Sequence, residues 1–207
     1  MKETPIIFNA DMVRAILDGR KTQTRRIFKQ AIGSSLSVDY EYPWATLSWL
    51  YGDGPGHEVY ERTLKMQCPQ GNIGEHLWVR ETFQFGLCTK STLAYRATHQ
   101  PEDLEDGWQE PIKWRPSIHM PRWASRITLE VTDVRVERLQ DIKEEDAKAE
   151  GANGGCCTCG NPQPCRCDNP DPLYVESFYW QWVDIYGKEN WNNNPWVWVI
   201  EFRRINK

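Results

Sequence analysis

The residues with the clearest capacity for chemistry lie in "LDGRKTQTRRIF", residues 17–28. Arg20, Lys21, Arg25 and Arg26 stand against one acid, Asp18, and Thr22 and Thr24 sit between the cations. Guanidinium groups in such a run can hold a phosphate or polarise a carbonyl oxygen. A threonine hydroxyl is a weak nucleophile unless a neighbouring amine takes its proton, and an amine does so only when partly neutral. A lysine ordinarily ionises near about 10.4, so burial or nearby cations must lower it first. Arg20, Arg25 and Arg26 would supply those cations. The structural alternative is simpler: cations after a helix C-terminus complement its dipole, at ~0.3–1 kcal/mol each. That covers Arg20 and Lys21 and leaves the Arg25–Arg26 pair unexplained. Thr24 has its own plain role, as a turn residue with a backbone hydrogen bond.

A second cluster is "GGCCTCGNPQPCRCDNPDP", which holds Cys156, Cys157, Cys159, Cys165 and Cys167 among glycines and prolines. Thiols this dense can wrap a tetrahedral ion, and zinc is the expected one. Four thiolates leave no open position, so its role would be structural. Cys-x-Cys twice is tighter than finger spacing, and a thiol-rich loop or disulfides formed on handling are the alternatives. Cys68 and Cys88 are isolated and expected to pack. A third cluster, Trp114, Arg115, His119 and Arg122, offers aromatic faces and cations for a base or phosphate groove. Its alternative is a loop pinned by Pro116 and Pro121. On one strand, Trp78 and Glu81 fall on opposite faces, with Trp78 expected in the core and Glu81 available to a pocket. His57, His76 and His99 show no ligand spacing.

These groups must be held by elements the pattern predicts. Residues 5–8 read as a short strand, Asn9 as an N-cap, and Val13, Ile16 and Leu17 as one helical face closed by Gly19. Residues 30–70 read as irregular, with "GSSLS" and "YGDGPG" as turns. Strands are expected at 75–83 and 93–97, then an acidic loop through Glu102, Asp103, Glu105, Asp106 and Glu110. In 126–139, Ile127, Leu129 and Val131 alternate, and Val134 and Val136 resume on the other parity, so a bulge is expected near Thr132 and Asp133. Asp141 and Glu144 form a capping-box pattern for a helix to about Glu150, ended by Gly151. Asp171 and Pro172 suit the start of a helix over 173–186, with Phe178, Trp182 and Ile185 as its buried stripe and Gly187 as its end. Residues 195–205 read as a final strand.

The chain has 207 residues, enough for one good core, and a net charge of −4, which argues against non-specific grip on duplex nucleic acid. Eleven tryptophans suit core packing or flat-ligand sites. No run of about 18 apolar residues is present and no apolar signal region opens the chain. The expectation is a cytoplasmic protein without a membrane span, whose cysteines are thiols or metal ligands. No stable protein partner is expected.

The order of these segments resembles the ASCH family of PUA-like domains. "GRKTQTRR" after a strand and helix is similar to that family's G-x-K-T-x-T-x-R signature. "GEHLWVRE", "ITLEVTDVRVERLQDIKEEDAKAEG" and "WVWVIEF" follow in the family's order. The long connections resemble the phage and prophage branch. The resemblance implies an α+β fold around a small β-barrel, as one domain over 1–207 with insertions at about 27–70, 84–121 and 151–172. One branch of the family removes the acetyl group from the exocyclic amine of acetylated cytidine. Carried over by motif, Lys21 would be the base, Thr24 the nucleophile and Glu150 the proton relay, with no cofactor required. Arg20, Arg25, Arg26, Trp78, Glu81, Trp114 and Arg115 would line the substrate. The leading expectation is an amidohydrolase acting on an acylated cytosine nucleoside or related base. The alternatives are a non-catalytic module binding RNA or a nucleotide through the same cations, and, more weakly, a nuclease.

Overall fold

The alternation of residues 126–139 becomes an eleven-residue strand in a computed structural model that describes residues 2–28, 37–51, 60–86, 92–100, 112–156 and 172–205. In chain order the elements are β1 (Glu3–Ile7), α1 (Ala10–Leu17), β2 (Gln23–Ile27), β3 (Ser37–Glu41), β4 (Trp44–Tyr51), β5 (Tyr60–Met66), β6 (His76–Arg80), β7 (Phe83–Phe85), β8 (Leu93–Tyr95), β9 (Thr128–Arg138), α2 (Glu144–Ala149), β10 (Gly155–Cys156), β11 (Pro172–Leu173), α3 (Tyr174–Tyr186), α4 (Lys188–Asn192) and β12 (Trp196–Ile205). Short 3-10 turns cover Ser117–His119, Arg122–Ala124 and Leu139–Asp141. His57, Cys88, Cys157, Cys159, Cys165, Cys167 and the acidic loop at 102–110 lie outside the described residues.

The fold is mixed α+β. The main sheet has the order β1–β6–β9–β12–β2, with β1 and β2 at its two ends and no closed barrel among the described residues. β1 runs parallel to β6, and the other pairs are antiparallel. The expected bulge is present: Glu201 pairs with Asp133 and Phe202 with Val131, so Thr132 is the extra residue. The bulge resets the parity of β9, and Val131 and Val134 are both buried.

β12 is apolar on both parities because both of its faces are covered. Trp198, Ile200 and Phe202 pack with Phe8, Val13, Ile16, Leu77 and Val79. Val197 and Val199 pack instead beneath Phe178 and Trp182 of α3 and Ala147 of α2. Trp198 stacks on Phe28 at 4.5 Å, and such ring pairs add roughly 0.5–1.5 kcal/mol beyond their burial. Cys68 packs in the same core, as expected of an isolated thiol.

Three expectations need correction. Residues 30–70 are not irregular where described: β3, β4 and β5 form an antiparallel sheet. Ala45 and Leu47 are buried in the main core, and the Tyr40 hydroxyl donates to the Val134 carbonyl at 2.6 Å. Asp141 and Glu144 do not form a capping box, because the 3-10 turn takes Asp141 and Lys143 becomes the N-cap of α2 without a side-chain bond. The Glu144 carboxylate instead accepts the Tyr174 and Val175 amides at 2.8 and 3.3 Å, capping the next long helix. Ile185 is 46% exposed, and Tyr186 packs against Trp182 at 4.4 Å in its place. Helix α3 starts at Tyr174, after Pro172–Leu173 have paired as β11.

No helix among the described residues is long and apolar enough to cross a membrane.

Candidate active site

The chain enters the site through the end of α1. Asn9 caps the helix by accepting the Met12 amide at 2.9 Å, and Val13 and Ile16 bury its apolar face. Gly19 turns at φ 73°, so that the Arg20 and Lys21 amides both reach the Ala15 carbonyl at 2.9 Å. The chain then crosses the end of α2. Thr22 donates to Ala149, and Lys21 forms an isolated antiparallel bridge with Glu150. Gly151 permits this crossing: its φ is +82°, and a Cβ there would lie 2.8 Å from Ala15 Cβ and 3.0 Å from Lys21 Cβ.

Lys21 Nζ donates to Glu150 Oε2 at 2.7 Å and to the Glu150 main-chain oxygen at 2.8 Å. Both side chains are buried, at 0% and 4% exposure. Arg25, also fully buried, donates to Glu150 Oε1 at 3.3 Å and to Glu137 at 3.0 Å, and lies 3.5 Å from Asp146. Arg135 extends the network to Glu137, Asp146 and Glu201. Burial holds the Lys21 ammonium well below its ordinary value; the Glu150 carboxylate opposes this, and Arg26 and Arg25 reinforce it. Of the three arginines expected to act on Lys21, two do. Arg20 is exposed and is held by Asp18, Asn153 and the Gly151 carbonyl.

Thr24 is buried at 2% exposure. On β2 it pairs with Ile200, whose side chain belongs to the core holding Phe8. Arg26 shares that parity and sits 5.3 Å above the Phe8 ring, while Lys21 Nζ lies 5.7 Å from the same ring. Among the described residues no hydrogen bond joins the Thr24 hydroxyl to Lys21 or Glu150.

Gln23 and Arg25 take the opposite parity, toward α2 and α3, and Arg25 lies 5.9 Å from the Phe178 ring. Two buried nitrogens there, Gln23 Nε2 and Arg25 Nε, have no hydrogen-bond partner among the described residues. Glu137, Arg135, Asp146 and Glu201 were not expected in the site from the sequence. One signal was legible: Asp146 and Glu150, the C-cap of α2, are four apart, the spacing of neighbours on one helical face.

A cleft of about 320 Å³ reaches Glu150 from the surface, lined by Asn9, Arg14, Arg20, Asn153 and Asp184. A second, of about 590 Å³, lies across Arg20 and Asn153 and is lined by Thr22, Lys148, Ala149 and Tyr174. The other expected substrate residues stand apart from both. Trp78 is half-buried, while its neighbours Leu77 and Val79 fill the core. Glu81 is buried and bound by Arg126 at 2.9 and 3.0 Å. Arg115 lies 4.0 Å from the Phe85 ring, and Trp114 meets His99 edge-on.

Of the five clustered cysteines, only the backbone of Cys156 is described, paired with Pro172. Among the described residues no group of three His, Cys, Asp or Glu could hold a metal ion.

No family model matches the chain, and neither a curated protein nor a solved structure matches it.

Proposed function

We propose that the protein is an ASCH-type amidohydrolase that removes an acyl group from the exocyclic amine of a cytosine nucleoside or related base. The observation that carries this reading is the buried Lys21–Glu150 pair, with Lys21 three residues before Thr24 on the chain. A lysine whose ammonium is disfavoured by burial, and by Arg25 and Arg26, is suited to act as a base. In the proposed reaction neutral Lys21 takes the Thr24 hydroxyl proton, and Thr24 Oγ1 attacks the acyl carbon. Collapse of the tetrahedral species breaks the C–N bond, and the leaving amine takes its proton through Glu150. Water then attacks the threonine ester, releasing the carboxylic acid and restoring the hydroxyl. In the described conformation Lys21 is engaged by Glu150, so this sequence begins with a proton passing between them or a shift of Lys21 toward Thr24. The small barrel of PUA-like domains belongs to the same proposal, with the five-stranded sheet as its source of strands.

A second reading is a non-catalytic module that binds RNA or a nucleotide. It is favoured by one observation: Lys21 Nζ spends two of its three donors on Glu150. The nuclease alternative gains nothing from the carboxylates Glu137, Asp146 and Glu201, which are paired with arginines. Intact-mass measurement during reaction with acetylated cytidine separates the first two readings. The hydrolase gains the mass of one acetyl group, mapped to Thr24. A module that binds the nucleoside equally well with Thr24→Ala, and never gains that mass, contradicts it.

The cysteine segment is proposed to hold one structural zinc ion through four of Cys156, Cys157, Cys159, Cys165 and Cys167. Pairing of β10 with β11 joins the two ends of the segment, which suits a self-contained metal loop. Zinc content below one ion per chain in protein purified without chelator would contradict this. A cytoplasmic location, and a modified nucleoside or RNA as partner, complete the proposal.

A further inference from the structure

Away from the Lys21 cleft, the side of the β1–β6 edge turned from the core carries rings and guanidinium groups together. Leu77, Val79 and Ile6 point inward, which turns Trp78, Arg80 and Ile7 outward. Arg80 and Arg122 approach the Trp78 ring from 5.5 and 5.9 Å. Arg80 also donates to the Ile118 carbonyl, tying the 3-10 turns at 117–124 to the strand. Those turns leave Trp123 66% and Ile118 59% exposed. Trp123 meets the Phe85 ring edge-on at 6.0 Å, and Arg115 lies 4.0 Å from Phe85 on its other contact. The strip is thus continuous from Trp78 through Arg122 and Trp123 to Phe85 and Arg115.

Its described charged groups are mostly cations. Among the described residues, Arg80, Arg115, Arg122 and Arg126 face two carboxylates, Glu3 and Glu81, in a protein of net charge −4. Glu3 binds Arg122 and Glu81 binds Arg126, so neither neutralises Arg80 or Arg115. Among the described residues no carboxylate lies within ion-pair distance of those two. A contiguous exposed patch of rings and cations marks an interaction surface, and a partner with flat apolar faces and negative charge would satisfy both features.

We propose that this strip binds single-stranded nucleic acid. Unpaired bases would stack on Trp123, with phosphates meeting Arg115 and Arg80. A duplex hides its base faces and lacks the stacking contribution. The proposal is independent of amide hydrolysis, because none of these residues lines the clefts at Arg20.

The test is fluorescence anisotropy of a labelled oligouridylate of about ten nucleotides, against the wild-type chain, Trp123→Ala and Arg115→Ala, with a labelled duplex as control. The single strand should bind more tightly than the duplex. Trp123→Ala should weaken binding about tenfold at unchanged melting temperature. Arg115→Ala should flatten the slope of log affinity on log salt by about 0.7. Equal binding of strand and duplex, or affinity unchanged by Trp123→Ala, would overturn the proposal. So would self-association of the protein through Trp123 without uptake of the oligonucleotide, or binding lost only with substitutions at Arg20 and Lys21.

Discussion

Lys21 Nζ donates to both a carboxylate oxygen and the main-chain oxygen of Glu150, a residue 129 positions further along the chain. The two sides of this contact are not equivalent. Glu150 is the only carboxylate within ion-pair distance of Lys21 among the described residues, whereas Glu150 also has Arg25 at 3.3 Å. Glu150→Gln should therefore cost about 3–5 kcal/mol of stability near neutral pH, because it strands a buried ammonium. Lys21→Met should cost clearly less. Urea unfolding of the two variants checks the order, and equal losses would contradict it.

The pH dependence follows from the lowered Lys21 value. In the unfolded chain Lys21 ionises near the ordinary lysine value of 10.5, and in the folded chain below it. Between those two values the unfolded state binds more protons, so the stability contributed by Lys21 rises with pH across that window. Below the window the burial penalty is fully present. Stability of the wild type relative to Lys21→Met should accordingly increase on the alkaline side, and a flat difference would contradict the lowered value.

Arg26 tests the same cause through activity. A base must be neutral, so the rate should rise with pH through the folded Lys21 value. Arg26 helps to lower that value. Arg26→Gln should move the rising limb of the pH–rate profile to higher pH. A limb left in place would mean that Lys21 is not the titrating base.

How much of this was legible in the sequence depends on the distance over which each feature is decided. The bulge at Thr132 was readable because the parity change between Val131 and Val134 is local. The helix from Asn9 to Gly19 was readable for the same reason. β3 to β5 were missed because glycine and serine turn signals dominate 30–70, and several of their apolar residues, such as Trp44, Leu50 and Leu64, are exposed. The capping role of Glu144 was misassigned because its true partners, Tyr174 and Val175, lie across an insertion. In the candidate site, the cations were legible in residues 20–26 and Glu150 came from the ASCH resemblance; Lys21 and Arg25 both reach Glu150. The surrounding carboxylates were not foreseen, since Glu137 and Glu201 meet Arg25 and Arg135 only through strand register. Arg25 itself was expected to touch substrate, yet its side chain is fully buried against Glu150 and Glu137.

Gly151 should tolerate no side chain. Gly151→Ala places a methyl against Ala15 and Lys21 at a positive φ, and should cost roughly 1–3 kcal/mol. It should also displace Lys21 and lower turnover more than Gly19→Ala, whose added Cβ meets nothing within 4 Å. Thermal unfolding and turnover of the two variants provide the comparison.

Cys68 should be inert. Burial pushes its thiol up to about 11, so almost none is thiolate near neutral pH. Peptide mapping after alkylation at neutral pH should find Cys68 unmodified in the folded protein and modified in urea. Rapid native labelling would contradict its place in the core.

The central claim is that Lys21, Thr24 and Glu150 act together on an acylated amine. Its most direct test is ultraviolet-monitored turnover of acetylated cytidine by the purified protein, beside Lys21→Ala and Thr24→Ala. The account predicts measurable hydrolysis by the wild type and its loss in both folded variants. Hydrolysis that survives Thr24→Ala, or none by the folded wild type, would contradict it.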